Sequence, residues 1–384
     1  MKILIVRLFP YEININNYNV QEIGLAKALV KEGNQCDIVF YTKGKEKREI
    51  INVDNKKINI FWIKGYNILK NGLYGKKLLK LAQNYDIIQS SEYDQIYNLK
   101  LTKKFPNKVV IYHGPYYSEF NKGYNLKCKL FDKFFLTNRY RKVPFITKSE
   151  LASEFLRKKG FENVTTVGVG LDKDKIQDSN NVESLISRTN NNEKWLLYIG
   201  KIEERRNIIF LVKVLKRLKD ENKNVKLILI GNGRKEYKEK VFDFAKSLGV
   251  FDSIIYKEKI QQNEISKIYK KCDIFLLPTE YEIFGMVLLE AMYFNLPVIT
   301  TLNGGSSVLI KNRENGIIIN LNEDEWVKNI NELLENKDFR ENLAKKASLT
   351  IKEEFLWDKL VYRFINIYKQ TKEKIRRNNR CLKK

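Results

Sequence analysis

The sequence predicts an α/β protein of two domains, each built on a parallel sheet with helices on both faces. Two observations carry this expectation. Short apolar runs alternate with amphipathic segments along most of the 384 residues, the pattern of strands buried on both faces and joined by helices. The alternation breaks once, where IQDSNNVESLISRTNNNE, starting at Ile176, is polar and asparagine-rich, as a linker is. The length also suits two domains, each large enough to bury its own core.

Lys2–Val6 reads as a first buried strand. Gln21–Lys31 reads as a helix, with Ile23, Ala26, Leu29 and Val30 near helical spacing. Cys36–Phe40, Ile58–Ile63, Asp86–Gln89, Val109–Tyr112, Phe145–Thr147 and Val164–Val167 follow as strands. After the linker the pattern restarts with Trp195–Ile199 and continues through Leu227–Ile230, Ile254–Tyr256, Ile274–Leu277 and Val298–Thr300. A last helix sets Trp357, Leu360, Val361, Phe364 and Ile367 on one face. The expected division is therefore a domain over 1–175, a linker over 176–194, a domain over 195–355 and a terminal segment over 356–384. The tail KIRRNNRCLKK reads as frayed and solvated, with contact to anionic lipid as the alternative.

Hydrophobic residues at 43% and aromatics at 12% exclude a disordered chain. Charge is the outlier: 71 Lys and Arg against 46 Asp and Glu give +25. Genome composition, attraction to an anionic bilayer and nucleic-acid binding can each produce it. No zinc-finger spacing or RNA-recognition signature is present, so no nucleic acid is expected. Cys36, Cys128, Cys272 and Cys381 lack metal spacing and read as reduced thiols of a cytoplasmic protein. The opening MKILIVRLFP holds an apolar run too short for a signal peptide. No stretch approaches the ~20 apolar residues of a membrane span, so any membrane contact is expected to be peripheral.

Chemistry concentrates in PTEYEIFGMVLLEAMYFNLPVITT, Pro278 to Thr301. A strand leads into a loop carrying Glu280 and Glu282, and Gly285 opens a short helix. The first-turn amides of a helix have no intrahelical partners and can receive a phosphate. Glu290 lies four residues past Met286, on the same helical face. Asn295 is placed to cap the helix end, and Pro297 stops its continuation. A second signal is WLLYIGKIEERRNI, where Lys201 follows a strand end and Arg206 stands five residues on; by itself it reads equally as surface basic residues. Gly231 and Gly233 follow another strand, and alone mark only a tight turn. His113, the one histidine, ends the strand in VVIYHGPYY. Strand ends of open α/β sheets gather ligands, although a lone histidine by itself reads as structural.

The string EIFGMVLLEAM followed by LPVITT resembles the donor-binding segment of glycosyltransferase family 4, the group 1 glycosyl transferases of the GT-B type. The resemblance implies two Rossmann-like domains with parallel sheets facing a central cleft, and a final helix crossing back to the N-terminal domain. It assigns Glu282 to the donor sugar hydroxyls, Glu290 to the ribose, and the amides of Phe284, Gly285, Met286 and Val287 to sugar and phosphates. It gives Lys201 and Arg206 the diphosphate, in reversed order from the usual Arg then Lys, with Arg205 as a rival for Arg206. It puts Gly231 and Gly233 beside the donor and His113 near the transferred sugar. Asn16-Asn17 stand where the family has a Gly-Gly pair near the phosphates; asparagine tolerates left-handed backbone. VGVGLD, ending at Asp172, and NGGSS, starting at Asn303, match further segments, with Val308 where an acid is common.

The resemblance further implies hexosyl transfer with retention from a nucleotide-diphosphate sugar, UDP favoured over GDP. Glu282, His113, Lys201 and Arg206 would form the catalytic set, with no organic cofactor. A lipid-linked or cell-surface glycan of the bacterial envelope is the expected acceptor. The cations offer a metal-free way to stabilise the leaving group, and Asp172-Lys173-Asp174 has DxD spacing far from the donor segment. Alternatives are a GT-B epimerase, a non-catalytic sugar-nucleotide binder and, last, a basic nucleic-acid binder. Lys122 to Lys142 mixes Lys122, Lys127, Lys129, Lys133, Arg139, Arg141 and Lys142 with aromatics. It reads either as a helix packed on the sheet or as a patch for an anionic membrane.

Overall fold

The computed structural model describes residues 1–176, 188, 190 and 192–381. Most of the expected linker over 176–194, and the tail end 382–384, lie outside the described residues. The chain forms two compact units, Met1–Asp172 with Leu356–Lys384, and Lys173–Phe355.

Unit 1 runs β1 (Lys2–Val6), α1 (Gln21–Lys31), β2 (Gln35–Thr42), β3 (Lys47–Val53), β4 (Lys56–Ile68), β5 (Asn71–Tyr74), α2 (Lys76–Ala82), β6 (Ile87–Ser91), α3 (Ile96–Lys104), β7 (Val109–His113), α4 (Lys122–Phe135), α5 (Asn138–Arg141), β8 (Phe145–Thr147), α6 (Glu150–Arg157) and β9 (Val164–Thr166). The sheet order is β3-β4-β2-β1-β6-β7-β8-β9, with β5 paired to β4. All neighbours are parallel except β3 and β5 against β4. Strand order reverses beside β1, so the crevice at the carboxyl ends of β1 and β6 is this unit's topological switch point. The apolar runs are fully buried: Ile3, Leu4, Ile87, Ile88, Val110 and Ile111 are 0% exposed.

Unit 2 runs β10 (Lys194–Ile199), α7 (Ile208–Asp220), β11 (Val225–Ile230), α8 (Lys235–Ser247), β12 (Ile254–Lys257), α9 (Gln262–Lys271), β13 (Ile274–Leu277), α10 (Met286–Tyr293), β14 (Val298–Thr300), α11 (Ser306–Leu309), β15 (Ile317–Ile318), α12 (Glu323–Glu335) and α13 (Lys337–Thr350). Its sheet is parallel throughout, in the order β12-β11-β10-β13-β14-β15. Renumbered within the unit this is 3-2-1-4-5-6, the doubly wound dinucleotide-binding order, with the switch point between β10 and β13.

A π-helical turn, Ile351–Phe355, follows α13. Then α14 (Trp357–Cys381) packs on unit 1 against α1. Trp357, Leu360, Val361 and Phe364 are buried, but Tyr368 rather than Ile367 continues the buried stripe. Tyr368 donates to Gln89, and Lys372 pairs with Asp86 at 3.0 Å. The tail does not fray at Lys374: the helix continues to Cys381. The sequence reading missed β3, β5 and β15, and stopped β4 five residues early.

Candidate functional site

The switch point of unit 2 gathers most of the residues singled out in the sequence. After β10 the chain passes through Gly200 and Lys201 to a short 3-10 turn, Glu204–Arg206. After β13 it runs through Pro278–Phe284 to α10. These are the two strands between which the order reverses, so both segments open onto one crevice.

Arg206 Nη1 donates to the Glu282 carboxylate and lies 3.5 Å from Thr279 Oγ1. Both side chains are mostly buried, at 11% and 16% exposure. Arg205 is not equivalent. It donates to the Tyr281 carbonyl at 2.5 Å and pairs with Glu203 at 2.6 Å. Arg205 therefore fixes the backbone of the acidic loop, while Arg206 meets its carboxylate. Asn207, left-handed at φ 52°, adds hydrogen bonds to the Pro278 carbonyl and Glu280. The Lys201 side chain is exposed and makes no ion pair among the described residues. It is a cation available to an incoming anion.

Gly285 is the N-cap of α10 at φ 75°, a left-handed conformation that a side chain strains. This turn swings the chain so that the amides around Phe284, Gly285, Met286 and Val287 begin the helix without intrahelical acceptors. Gly304 N–H donates to the Glu282 carbonyl at 2.9 Å. A Cβ on Gly305 would stand 1.7 Å from the Phe284 carbonyl. The NGGSS segment thus braces the acidic loop from behind. Asn295 closes α10 at φ 61°, and Leu296 N–H returns to the Ala291 carbonyl.

Glu290 projects from α10 but is only 2% exposed. Tyr269 from α9 donates to its Oε2 at 2.9 Å. No sequence signal marked Tyr269, because a tyrosine in an amphipathic helix reads as core. Gly231 and Gly233 belong to the same crevice for a packing reason. A Cβ on Gly231 would lie 1.8 Å from the Gly200 carbonyl, and Ile202 N–H donates to the Asn232 carbonyl at 2.9 Å. The loop after β11 therefore lies directly on the loop that carries Lys201.

Unit 1 holds the remaining candidates at its own strand ends. His113 ends β7 and is 0% exposed. Its Nδ1–H donates to Glu92 Oε2 at 2.6 Å, its ring stacks on Phe155, and Tyr93 meets it edge-on. Its Nε2 is buried without a partner among the described residues. Glu92, which no sequence signal marked, is the organiser. It sits at φ 54° and is held by Asn98 Nδ2 on its carbonyl at 2.6 Å. Its carboxylate accepts from Gly114 N–H at 3.0 Å and lies 3.9 Å from Lys148 Nζ. Burial alone would raise the Glu92 carboxyl; the hydrogen bond and charge of His113, with Lys148 and the Gly114 amide, hold it below the usual carboxylate range.

A lowered folded pKa contributes stability that is complete above about pH 4.3 and lost as pH falls through the folded value. Glu92→Gln is therefore expected to flatten the acid limb of the unfolding curve, and Glu92→Ala to destabilise the protein by about 3–5 kcal/mol. Urea unfolding from pH 7 to pH 3 measures both. An acid limb unchanged in Glu92→Gln would remove this pair as its cause.

Asn16 and Asn17 occupy the loop after β1. Their turn is closed by Asn14, with Asn17 N–H donating to its carbonyl at 3.0 Å. Both are exposed, and the left-handed residue in this loop is Asn19 at φ 52°, not either of them. Asn19 lies where the chain turns into α1. Asp172 of the DxD string pairs with Lys27 at 3.5 Å. Among the described residues no group of three or more His, Cys, Asp or Glu is arranged to hold a metal ion. None of their helices is long and apolar enough to cross a membrane.

Comparison with known proteins bears on this geometry. The family model for glycosyl transferases group 1 matches residues 181–350. A lipopolysaccharide 1,2-N-acetylglucosaminetransferase of Salmonella typhimurium is 29% identical over 179 residues, 44% of this chain and 46% of that one. The chain spans about half the length of several curated relatives that it matches. An uncharacterised glycosyltransferase of Haemophilus influenzae is 24% identical over 346 residues, covering 88% of this chain and 92% of that one. In structure, sucrose-phosphate synthase of Thermosynechococcus elongatus superposes with a TM-score of 0.74 at 14% identity, over 96% and 99% of the two chains. HepE of Anabaena, solved with UDP and glucose, gives 0.65 at 15% identity over 98% and 99%. The fold is that of the GT-B glycosyltransferases.

Proposed function

We propose that this chain is a retaining, family 4 glycosyltransferase that moves a hexose from a nucleotide-diphosphate sugar to a glycan acceptor. The observation that carries the reading is the Arg206–Glu282 pair beside Lys201 and the start of α10, at the switch point of unit 2. A carboxylate for sugar hydroxyls, two cations and a helix N-terminus are what a donor with a departing diphosphate needs in one place. Glu282 orients the sugar, Glu290 takes the ribose hydroxyls, and Lys201, Arg206 and the amides of Phe284 to Val287 stabilise the leaving group. Gly231 and Gly233 keep the Lys201 loop in position. On unit 1, Glu92 fixes the His113 ring; the family resemblance alone assigns His113 to a sugar hydroxyl and the Asn16-Asn17 loop to donor phosphates. The acceptor hydroxyl attacks from the leaving-group face and passes its proton to a donor phosphate oxygen, so no protein nucleophile is required.

UDP is the favoured nucleotide; the similarity to HepE, whose structure holds UDP, supports this choice. The similarity to a lipopolysaccharide transferase supports a lipid-linked or cell-surface glycan as acceptor. The reaction is expected to persist in EDTA, because fixed cations carry the charge of the leaving group. Loss of turnover in EDTA, restored by magnesium or manganese, would contradict that part. The chain is read as cytoplasmic, working at the inner face of a membrane. Helix α4 supports this: it buries Cys128 and Phe131 but leaves Leu126, Leu130 and Phe134 exposed beside Lys129 and Lys133.

Product analysis tests the reading. With UDP-sugars and an extract of envelope glycans, the account expects UDP release coupled to a new glycosidic bond of the donor's anomeric configuration, read by proton NMR. Epimerised nucleotide sugar, or an inverted linkage, would overturn it.

A further inference from the structure

Strand β4 is longer than the sheet it belongs to. Its pairing with β2 ends at Lys64, and the next residues, Gly65 to Ile68, pair only with β5. At roughly 3.3 Å per residue this overhang is a two-stranded ribbon about 13 Å long. Its turn end is tied back to the switch point of unit 1, because Asn71 and Gly72 directly follow the turn. Gly72 N–H donates to the Leu8 carbonyl at 3.0 Å after β1, and Asn71 Oδ1 accepts from Ile96 N–H at 3.0 Å after β6.

The tip departs from what such a ribbon requires for stability. Leu69 and Lys70 form its two-residue turn with φ 49° and 61°. Both residues being left-handed marks a type I′ turn, which asparagine and glycine favour. A bulky apolar residue there is a strained choice. Leu69 is the one apolar side chain at positive φ among the described residues. It is also 84% exposed, with Ile68 at 50% and Tyr66 at 69%. Tyr66, Ile68 and Leu73 share one face of the ribbon, because Tyr66 lies opposite Leu73. So the chain holds a strained turn in order to present apolar groups to the outside, and the fold gains no core from them.

Charge indicates the occupant. Between Asp54 and Asp86 the sequence has no acidic residue, but carries Lys56, Lys57, Lys64, Lys70, Lys76, Lys77 and Lys80. Of these, Lys64 and Lys70 flank the ribbon itself, whereas Lys77 pairs with Glu46, which also accepts from Lys64 N–H, and Lys56 donates to the Val30 carbonyl. Apolar and tyrosine side chains beside Lys64 and Lys70 match the layered chemistry of an anionic bilayer surface. We propose that the β4–β5 ribbon is a lipid-anchoring finger: Leu69 and Ile68 enter the acyl boundary, Tyr66 lies at the headgroups, and Lys64 and Lys70 meet anionic phosphates. This deepens the membrane part of the function proposed above, but it stands on the ribbon alone. It depends neither on α4 nor on any donor.

The test uses the full, tag-free chain with Leu69→Trp. All four natural tryptophans are at most 6% exposed, so a change in emission on mixing with vesicles reports the tip. With phosphatidylglycerol–phosphatidylcholine vesicles the introduced indole is expected to shift to the blue and to be quenched by lipids brominated in the acyl chain. Pure phosphatidylcholine vesicles are expected to do far less. A second variant, Leu69→Asn with Lys70→Gly, supplies the residues a type I′ turn favours. It is expected to raise Tm by about 2 °C while weakening anionic-vesicle binding at least about tenfold. Sedimentation with vesicles while the indole stays unquenched would overturn the finger and leave α4 as the contact. Absence of vesicle binding, or equal binding by the Asn-Gly variant, would overturn it as well.

Discussion

Arg206→Ala is expected to lower sugar transfer about 10²–10³-fold, the range for removing one preorganised charge-stabilising donor. The loss should appear in the rate of the chemical step, because charge on the departing diphosphate grows toward the transition state. Two effects combine. The leaving group loses a cation, and Glu282 loses the partner that orients it. Glu282→Ala is expected to lower transfer steeply for the second reason. Because the two residues touch, their effects should not add. Arg206→Lys keeps the charge without the planar fork and should recover only part of the rate. Lys201→Ala should also reduce transfer steeply without unfolding the protein, since its exposed side chain makes no ion pair among the described residues. Single-turnover rates, with thermal melts as the control for folding, measure the set. Near-normal transfer by Arg206→Ala would remove it from the reaction.

The second large effect is expected at Glu290. Glu290→Ala should weaken donor binding about 10–150-fold, corresponding to about 1.5–3 kcal/mol for hydrogen bonds to a charged group. The carboxylate is buried against Tyr269, so Tyr269→Phe should weaken donor binding as well, by a smaller factor. This combination separates a ribose contact from a structural role. If Glu290 only supported the packing of α9 on α10, both variants would lose Tm and keep their donor affinity once folded.

How far the sequence displayed this site follows from which forces place each residue. Strands buried on both faces must be continuously apolar, so the positions of β1, β7, β8, β10, β13 and β14 could be read within a residue or so. The acidic loop was legible because Gly285, Glu290 and Pro297 mark the start, face and end of one short helix. Partner choice was not legible. Arg205 and Arg206 are adjacent and chemically alike, and only the turn geometry sends one to a backbone carbonyl and the other to Glu282. Glu92 was hidden for a related reason: a single acid in a loop gains its meaning from His113, 21 residues away. The ribbon was hidden because Lys64-Gly65 interrupt the apolar run after Ile63, so the strand pattern ends there in the sequence. The loop after β1 shows a limit of motif alignment. Asn16-Asn17 stand at the family's Gly-Gly position, where asparagine tolerates left-handed backbone, but the left-handed residue of this loop is Asn19, at the entry to α1.

The central claim is that the switch point of unit 2 binds a nucleotide-diphosphate sugar. Isothermal calorimetry of the folded wild-type chain against UDP-, GDP-, ADP- and CMP-sugars tests it most directly. The account predicts saturable binding of one nucleotide class, UDP first, that is lost or strongly weakened in Glu290→Ala. No heat of binding from any of the four up to millimolar concentration, or binding that Glu290→Ala leaves unchanged, would contradict it.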